Sequence, residues 1–404
     1  MLHFTSASNA IVNSRKAIED CLENTLAGQD PLKCRLLVIH STIAHDFADI
    51  LNRALELCPN AAIAGCTCAG IIGNEVVFET MKSLGVMAVT SDSDNEIALS
   101  YVEQIRGENS FDAGVQMAQE LYQANPKINM IHILASGMDV AADRAIEGIE
   151  SVLGPDVVIF GGTSSDNMKA ITSFQFHNDQ ILERGAVVIG YADPTICIET
   201  GVHHGNIPIG LPFEVTRSEN NRIIEIEGEP AWPYLMRMLD LPVDMLPGQT
   251  IPIAGIGEVL QPEDLQEAYD NKIILRAVVK VDEERKSCYI PVDCPVGTRF
   301  WLTKRDEQLI FSGLETMIRK LITRINNKKI IAVFHTDCGA RGRTLFNKIL
   351  KEEIIHHMQF PLMGAEKIPW LGMYGYGEFT PLGGKNSFHN YTTSIYAICR
   401  NQEE

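Results

Sequence analysis

The segment that most constrains this chain lies in its last quarter. A short apolar run, 329–334, ends in the corner His335-Thr336-Asp337-Cys338-Gly339-Ala340-Arg341-Gly342-Arg343, and a helix-like segment, 344–358, follows. Strand, polar turn and helix in that order point to α/β layering. The corner then sits at the end of a buried strand, a common place for a functional site. It gathers an imidazole, a carboxylate, a thiol and two guanidiniums, and Gly339 and Gly342 let the backbone come close to a ligand. The alternative is a helix N-terminus with incidental charges.

The rest of the chain follows the same grammar. Amphipathic spacing predicts helices over 11–26, 47–57, 111–123, 140–153, 232–239, 308–325 and 343–357. Strand-like runs fall at 34–40, 84–90, 128–134, 157–160, 173–177, 186–191, 223–226, 273–279, 300–302, 329–334 and 393–398. Helices and strands alternate in the first half, and strands dominate from about residue 170. The turn-rich segment 205–212 marks a boundary, dividing the chain into domains 1–204 and 205–404. Ile131-His132-Ile133-Leu134 precedes a polar turn and a helix much as Ala332-Val333-Phe334-His335 does, an echo that suggests two related halves. The expected fold is α/β (α+β): two packed domains of mixed, largely antiparallel sheets with external helices, related by a pseudo-twofold.

The balance of 34 basic against 52 acidic residues, a net charge of −18, excludes nucleic acid and anionic membrane as partners that need a basic face. A local basic pocket at Arg341 and Arg343 stays compatible with it. No apolar run is long enough for a membrane span, and the first residues lack the apolar core of an export signal. The ten cysteines are therefore expected as free thiols in a reducing cytoplasm. No CxxC pair is present, so structural zinc is not expected. Cys66 and Cys68 form a CxC that could ligate a soft metal or simply fill a core.

Further constellations can carry chemistry. Gly161-Gly162-Thr163-Ser164-Ser165-Asp166-Asn167 follows a strand-like run; its hydroxyls and carboxylate can hold a small polar ligand, or it is a tight interior turn. It lacks the GK[ST] ending of a phosphate loop. In Gly372-Met373-Tyr374-Gly375-Tyr376-Gly377-Glu378, a continuous strand would put Tyr374, Tyr376 and Glu378 on one face, as a ligand wall or as close sheet packing. His335 is the best candidate ligand for a metal; His177 and His389 are weaker. Cys338 with His335 as base, and Arg341 lowering the thiol pKa, would make a nucleophile, although Asp337 opposes that shift. The candidate binding residues are Asp337, Cys338, Gly339, Arg341, Gly162, Thr163, Asp166, Cys66, Tyr376 and Glu378.

Taken in order, GCTCAG, LGVMAV, GGTSSDN, FQFHNDQILERGAVVIGY, GNIPIGLPFEVT, IIEIEGEPAWPYL, FHTDCGARGR and MYGYGEF resemble the FIST proteins, an N domain followed by a C domain. The family's histidine-asparagine hairpin is matched by Phe176, His177 and Asn178. Its proline-alanine segment is matched by Glu225, Gly228, Glu229, Pro230 and Ala231. Its cysteine-glycine-arginine corner is matched by Cys338, Gly339 and Arg341, and its tyrosine-glycine-glutamate segment by Tyr374, Gly377 and Glu378. The resemblance implies a sensory module rather than an enzyme, acting beside a histidine kinase or a cyclic-di-GMP enzyme; a homodimer is compatible with it. One stand-alone subgroup binds haem and senses nitric oxide, with His335 the expected axial ligand here. The other readings are a sensor of a small anionic metabolite such as an amino acid, clamped by Arg341, and an enzyme using Cys338.

Overall fold

The computed structural model describes residues 1–251, 253–284, 286–342, 353–364 and 366–401. Local sequence preferences produce one unit three times over: an edge strand, a helix, a strand, a helix, a parallel strand, a hairpin and a returning strand. The first repeat runs through strand His3–Asn9, helix Ser14–Thr25, strand Cys34–Thr42, helix Phe47–Leu57 and strand Ala62–Cys68, closing with Leu84–Thr90. The second uses Ile97–Val102, Ser110–Ala124, Met130–Ser136, Ala142–Leu153, Val158–Ser164 and Ala186–Tyr191. The third uses Ile196–His203, Glu307–Ile325, Lys328–Cys338, the π-helical turn Glu353–Gln359, Trp370–Gly375 and Thr393–Asn401. The predicted helix over 343–357 falls partly outside the described residues, and so does Arg343.

Helix starts follow capping chemistry. Asn13, Asp46 and Asp306 each accept a hydrogen bond from a backbone N–H of the first turn, satisfying a donor that would otherwise lack a partner. In each sheet the central pair is parallel, 34–42 with 62–68, 130–136 with 158–164, and 328–338 with 370–375, and antiparallel strands flank it. Each such pair contains a glycine at one equivalent register position. A Cβ on Gly65 would lie 2.0 Å from the Ile39 carbonyl oxygen, and one on Gly161 2.2 Å from that of Ile133. Only glycine lets the two backbones approach this closely.

The hairpins do not stay with their own repeats. Strands Ile71–Gly73 and Val76–Phe78 follow the first parallel pair but add to the third sheet, where Ile72 faces Gly372. Strands Phe174–His177 and Gln180–Glu183 follow the second pair and add to the first sheet, where Phe176 faces Gly65. Glu378–Phe379 and Phe388–His389 follow the third pair and add to the second sheet, where Glu378 faces Gly162. A ring of backbone bonds closes this exchange. Ser165 N–H donates to Thr67 O at 3.0 Å, Ala69 N–H to Tyr374 O at 3.0 Å, and Tyr376 N–H to Thr163 O at 3.3 Å.

The fold is thus α/β with mixed sheets and external helices, as the periodicity predicts, but the repeat is threefold where the sequence echo suggested a twofold. By register His335 matches Ile133 and Ile39, one position off the echo, and neither of the other two copies carries a histidine there. The expected single strand through Tyr374, Tyr376 and Glu378 is also corrected. The strand ends at Gly375, and Glu378 belongs to a different sheet, so the three side chains do not share a face.

Period-2 alternation sorts each strand's side chains. Leu36, Val38, Met130, Leu134, Phe160, Phe334, Met373 and Tyr396 point into one central core shared by the three sheets. Their alternates, such as Leu37 and Ile39, Ile131 and Ile133, and Val333, pack outward under the helices. Burying each such side chain contributes on the order of 1.5–3 kcal/mol. Residues 206–305 are inserted in the third repeat between strand 196–203 and helix 307–325, and form an eight-stranded sheet. Phe213, Val215, Ile223, Trp232 and Phe300 of this insertion share a core with the second repeat's helices.

Candidate functional site

The corner His335–Arg341 emerges at the C-terminal end of a parallel pair, beside the ring of backbone bonds. Its backbone is pinned from three sides. Cys338 N–H donates to Thr392 O at 2.9 Å and Gly339 N–H to Gly375 O at 2.7 Å, while Arg305 Nη2 reaches Ile251 O at 3.3 Å and Ala340 O at 3.4 Å. The insertion therefore touches the corner through Arg305, while the corner's own sheet supplies the shorter backbone bonds.

Strand alternation then separates the expected residues. His335 and Asp337 lie on the outer face. His335 Nε2 is 2.8 Å from Thr393 Oγ1 and 3.7 Å from Asp337 Oδ2, and the ring meets Trp370 edge-on. Arg341 Nε donates to Asp337 Oδ1 at 2.9 Å, both side chains being buried. A buried pair of this kind costs desolvation on both sides and is worth most as a fixed geometry. Cys338 points the other way, into a small cluster with Ala340, Tyr391 and Ile251. Burial pushes its thiol well up, and Glu378 adds to the effect. The expected Cys338–His335 nucleophile is not assembled: the two side chains leave the strand on opposite faces, and the Arg341 guanidinium is engaged by Asp337.

Glu378 is fully buried. Its Oε2 accepts from Thr392 Oγ1 at 2.7 Å, while Oε1 has no hydrogen-bond partner among the described residues. Burial first, and Asp337 after it, push its carboxyl well above the usual range, so at neutral pH the group is held toward its protonated form. Asp166 has a different role. Its Oδ1 accepts from Lys169 N–H at 2.8 Å and Ala170 N–H at 3.1 Å, its Oδ2 from Ile171 N–H at 2.9 Å, and Tyr376 OH also donates to Oδ1. This carboxylate is saturated by its own loop and is a clamp. Thr163 is bound to Gly377 O through its N–H at 2.8 Å, and a Cβ on Gly162 would lie 2.5 Å from Thr336. Cys66 sits in the central core, 3.6 Å from His40 Nδ1 and 3.4 Å from Met373 Sδ, with its thiol pushed well up by burial. Thr163 and Cys66 are thus interior packing away from the corner, while Gly162 packs against Thr336 within it. His177 stacks on Tyr101 at 4.2 Å between centroids.

The loop that Asp166 clamps reaches over the corner. Met168 (φ +67°) and Ala170 (φ +55°) both adopt the left-handed backbone that non-glycine residues rarely take. The Met168 side chain wedges against Gly339, where an added Cβ would lie 2.4 Å from its sulfur. On one side is a cavity of about 20 Å³ lined by Met138, Ile251, Val279, Cys338, Tyr376 and Tyr391. On the other is one of about 30 Å³ lined by Thr42, Cys68, Glu79, Asn167 and Tyr374. Met168 lines both. Sequence reasoning missed Met168, Tyr391, Ile251 and Val279, for they come from segments distant in sequence and carry no motif.

Haem needs an apolar slot of several hundred Å³ and an available imidazole nitrogen. His335 leaves Nδ1 without a hydrogen-bond partner among the described residues, but its ring packs edge-on against Trp370 with Nε2 at Thr393, and the two voids beside the corner, of about 20 and 30 Å³, are far too small for haem. Among the described residues no group of three or more His, Cys, Asp or Glu side chains is arranged to hold a metal ion. A larger cleft of about 700 Å³ lies away from the corner, between strand 196–203 and helix 307–325. Its cations are committed: Arg324 to Glu199 at 3.5 Å and Lys320 to Asp270 at 3.6 Å. His203 on its wall lies 3.2 Å from Leu309 O through Nε2.

Comparison with known proteins assigns the two halves. The FIST N domain matches residues 35–229 and the FIST C domain residues 231–381. An uncharacterised protein of Mycobacterium bovis is 23% identical over 376 residues, covering 92% of this chain and 91% of its own. A second, from Mycobacterium tuberculosis, is 23% identical with 92% of each chain covered. Among solved structures a cyanuric acid hydrolase superposes with a TM-score of 0.39 at 8% identity, covering 99% of this chain and all of its own. Another, from A. caulinodans, gives 0.36 at 7% identity, with both chains wholly covered. No helix among the described residues is long and apolar enough to cross a membrane.

Proposed function

This chain is a FIST-domain protein, and from that premise we propose that it is a sensor that seats a small, largely apolar molecule beneath Met168, at the Cys338–Ala340 corner. FIST domains are signalling-associated sensor domains. The observation that carries the reading is convergence. The second repeat (Met138, Met168), the insertion (Ile251, Ala277, Val279) and the third repeat (Cys338, Tyr376, Tyr391) meet at one apolar void. Sites between separately built parts of a fold are the usual seats of small ligands.

In its present volume the void holds about one water at most. Binding therefore requires Met168 to leave, which joins the two cavities. The strained backbone at Met168 and Ala170 favours that exchange, because a ligand that displaces the side chain also lets the loop relax. The ligand class is a compact apolar body with one polar group, which Tyr391 would meet, its hydroxyl being held only by a 3.2 Å bond to Ala254 O while that of Tyr376 is engaged by Asp166 and Ala170. A carboxylate clamp by Arg341 is a weaker reading, since Asp337 already engages that guanidinium. Haem with nitric oxide is weaker still on the geometry of His335. The signal passes to a histidine kinase or cyclic-di-GMP enzyme, as the family resemblance implies.

The test is a thermal-shift screen of small amphiphilic metabolites, amino acids included, on the wild type and on Ala340→Leu and His335→Gln. Stabilisation should follow ligand concentration by mass action, persist in His335→Gln and disappear in Ala340→Leu, whose added side chain fills the void. Equal stabilisation of Ala340→Leu would place the ligand elsewhere. A saturable Soret band of one haem per chain, lost in His335→Ala, would replace this reading by the haem one.

A further inference from the structure

We propose that Cys197 and Cys399 form a redox-active thiol pair, which a peroxide converts to a reversible disulfide across the third sheet. The two residues are direct partners in the antiparallel pairing of strand 196–203 with strand 393–401. Partners of this kind have Cα atoms about 4.5–5.5 Å apart and side chains on one face. That separation lies inside the window of about 4.4–6.8 Å that a disulfide spans. Both side chains belong to the cluster beneath helix 307–325, so they do share a face. All ten cysteines are free, and Cys197 is the one that is not fully buried. It is therefore the thiol a soluble oxidant reaches, with buried Cys399 beside it to complete the bond.

The third member is Lys328. Its ammonium lies against Cys197 and is held in place by Glu199 Oε1 at 2.6 Å. Burial raises the Cys197 thiol above its ordinary value, Lys328 works against that, and Glu199 adds to the rise. Burial wins, so the thiol stays above its ordinary value, and Lys328 offsets part of that rise in favour of the thiolate, which is the attacking species.

The step balances as follows. The Cys197 thiolate attacks one peroxide oxygen, the O–O bond breaks, and the departing hydroxide takes a proton to become water. The sulfenic acid on Cys197 is then attacked by the Cys399 sulfur. The S–S bond forms, the S–O bond breaks, and the hydroxyl leaves as a second water with the Cys399 proton. The two thiols lose two electrons and the peroxide gains them. The new bond ties the edge strand that leads into the insertion to strand 393–401.

The experiment is treatment of the full folded chain with hydrogen peroxide, quenching, alkylation in denaturant, and mass spectrometry of the unreduced digest. The expected product is one cross-linked peptide pair holding Cys197 and Cys399, abolished by dithiothreitol. In Cys399→Ser, dimedone should instead trap a sulfenic acid on Cys197. Lys328→Met should slow cross-linking several-fold, while Lys328→Arg retains the rate. Recovery of both thiols fully alkylated, over-oxidation of Cys197 with no cross-link, or a cross-link from Cys197 to another cysteine would each overturn the proposal. Wild-type thermal melts of the serine variant, measured before oxidation, separate loss of the pair from loss of the fold.

Discussion

Glu378 shows how much one buried side chain can bias the molecule. Its carboxyl is pushed well above the ordinary 4.5 in the folded state by burial. The folded protein therefore holds this proton more tightly than the unfolded chain does. The corresponding stability is complete below the unfolded pKa and is lost as pH rises toward the folded one. Glu378→Gln keeps the neutral form at every pH. It should be more stable than the wild type at about pH 8, with the difference vanishing near about pH 4, in urea titrations at both values. Equal pH dependence of the two proteins would show that Glu378 ionises freely in the fold. The candidate site is set by similar residue-level facts: Asp166 is saturated by its own loop, and Asp337 holds Arg341, so neither carboxylate is spare for a ligand.

At the scale of elements, the parallel pairs stand on close backbone approach. A Cβ at Gly65 would meet the Ile39 carbonyl, which cannot move without breaking the pairing that Phe176 also uses. Gly65→Ala is expected to cost ~3 kcal/mol or more, in the range of severe core disruption. Gly248 has an ordinary helical backbone, and a Cβ there would find its nearest neighbour at 3.7 Å. Gly248→Ala should change stability by no more than ~1 kcal/mol, in the stabilising direction if at all. Denaturant midpoints of the two variants, measured side by side, decide this; a mild Gly65→Ala would mean that the strands can slide apart at little cost. The equivalent glycine in each pair makes the position a property of the repeat and not of one strand.

At the scale of the whole molecule, each hairpin completes a sheet that begins elsewhere, and the insertion shares its core with the second repeat. Chains of this length commonly unfold domain by domain. Here the exchange argues for one cooperative unit. Trp232 and Trp301 report on the insertion and Trp370 on the third sheet. Variants retaining one tryptophan each should give coincident midpoints in urea by fluorescence. An insertion that melts before Trp370 would show that the shared core does not couple them.

The amino-acid sequence by itself determined the local units. Apolar period placed helices such as 47–57 and 308–325, and the run at 329–334 was legible as a buried strand ending in a chemically loaded corner, although the strand in fact continues through that corner to Cys338. These depend on neighbours a few residues apart. Only the tertiary structure decided which sheet each hairpin joins, and hence that the repeat is threefold. β-pairing links residues such as Ile72 and Gly372 that no local pattern connects. It also decided which functional groups meet. Met168, Ile251 and Tyr391 reach Cys338 across three separate parts of the chain, while His335, three residues away, is turned to the opposite face by the alternation of a strand.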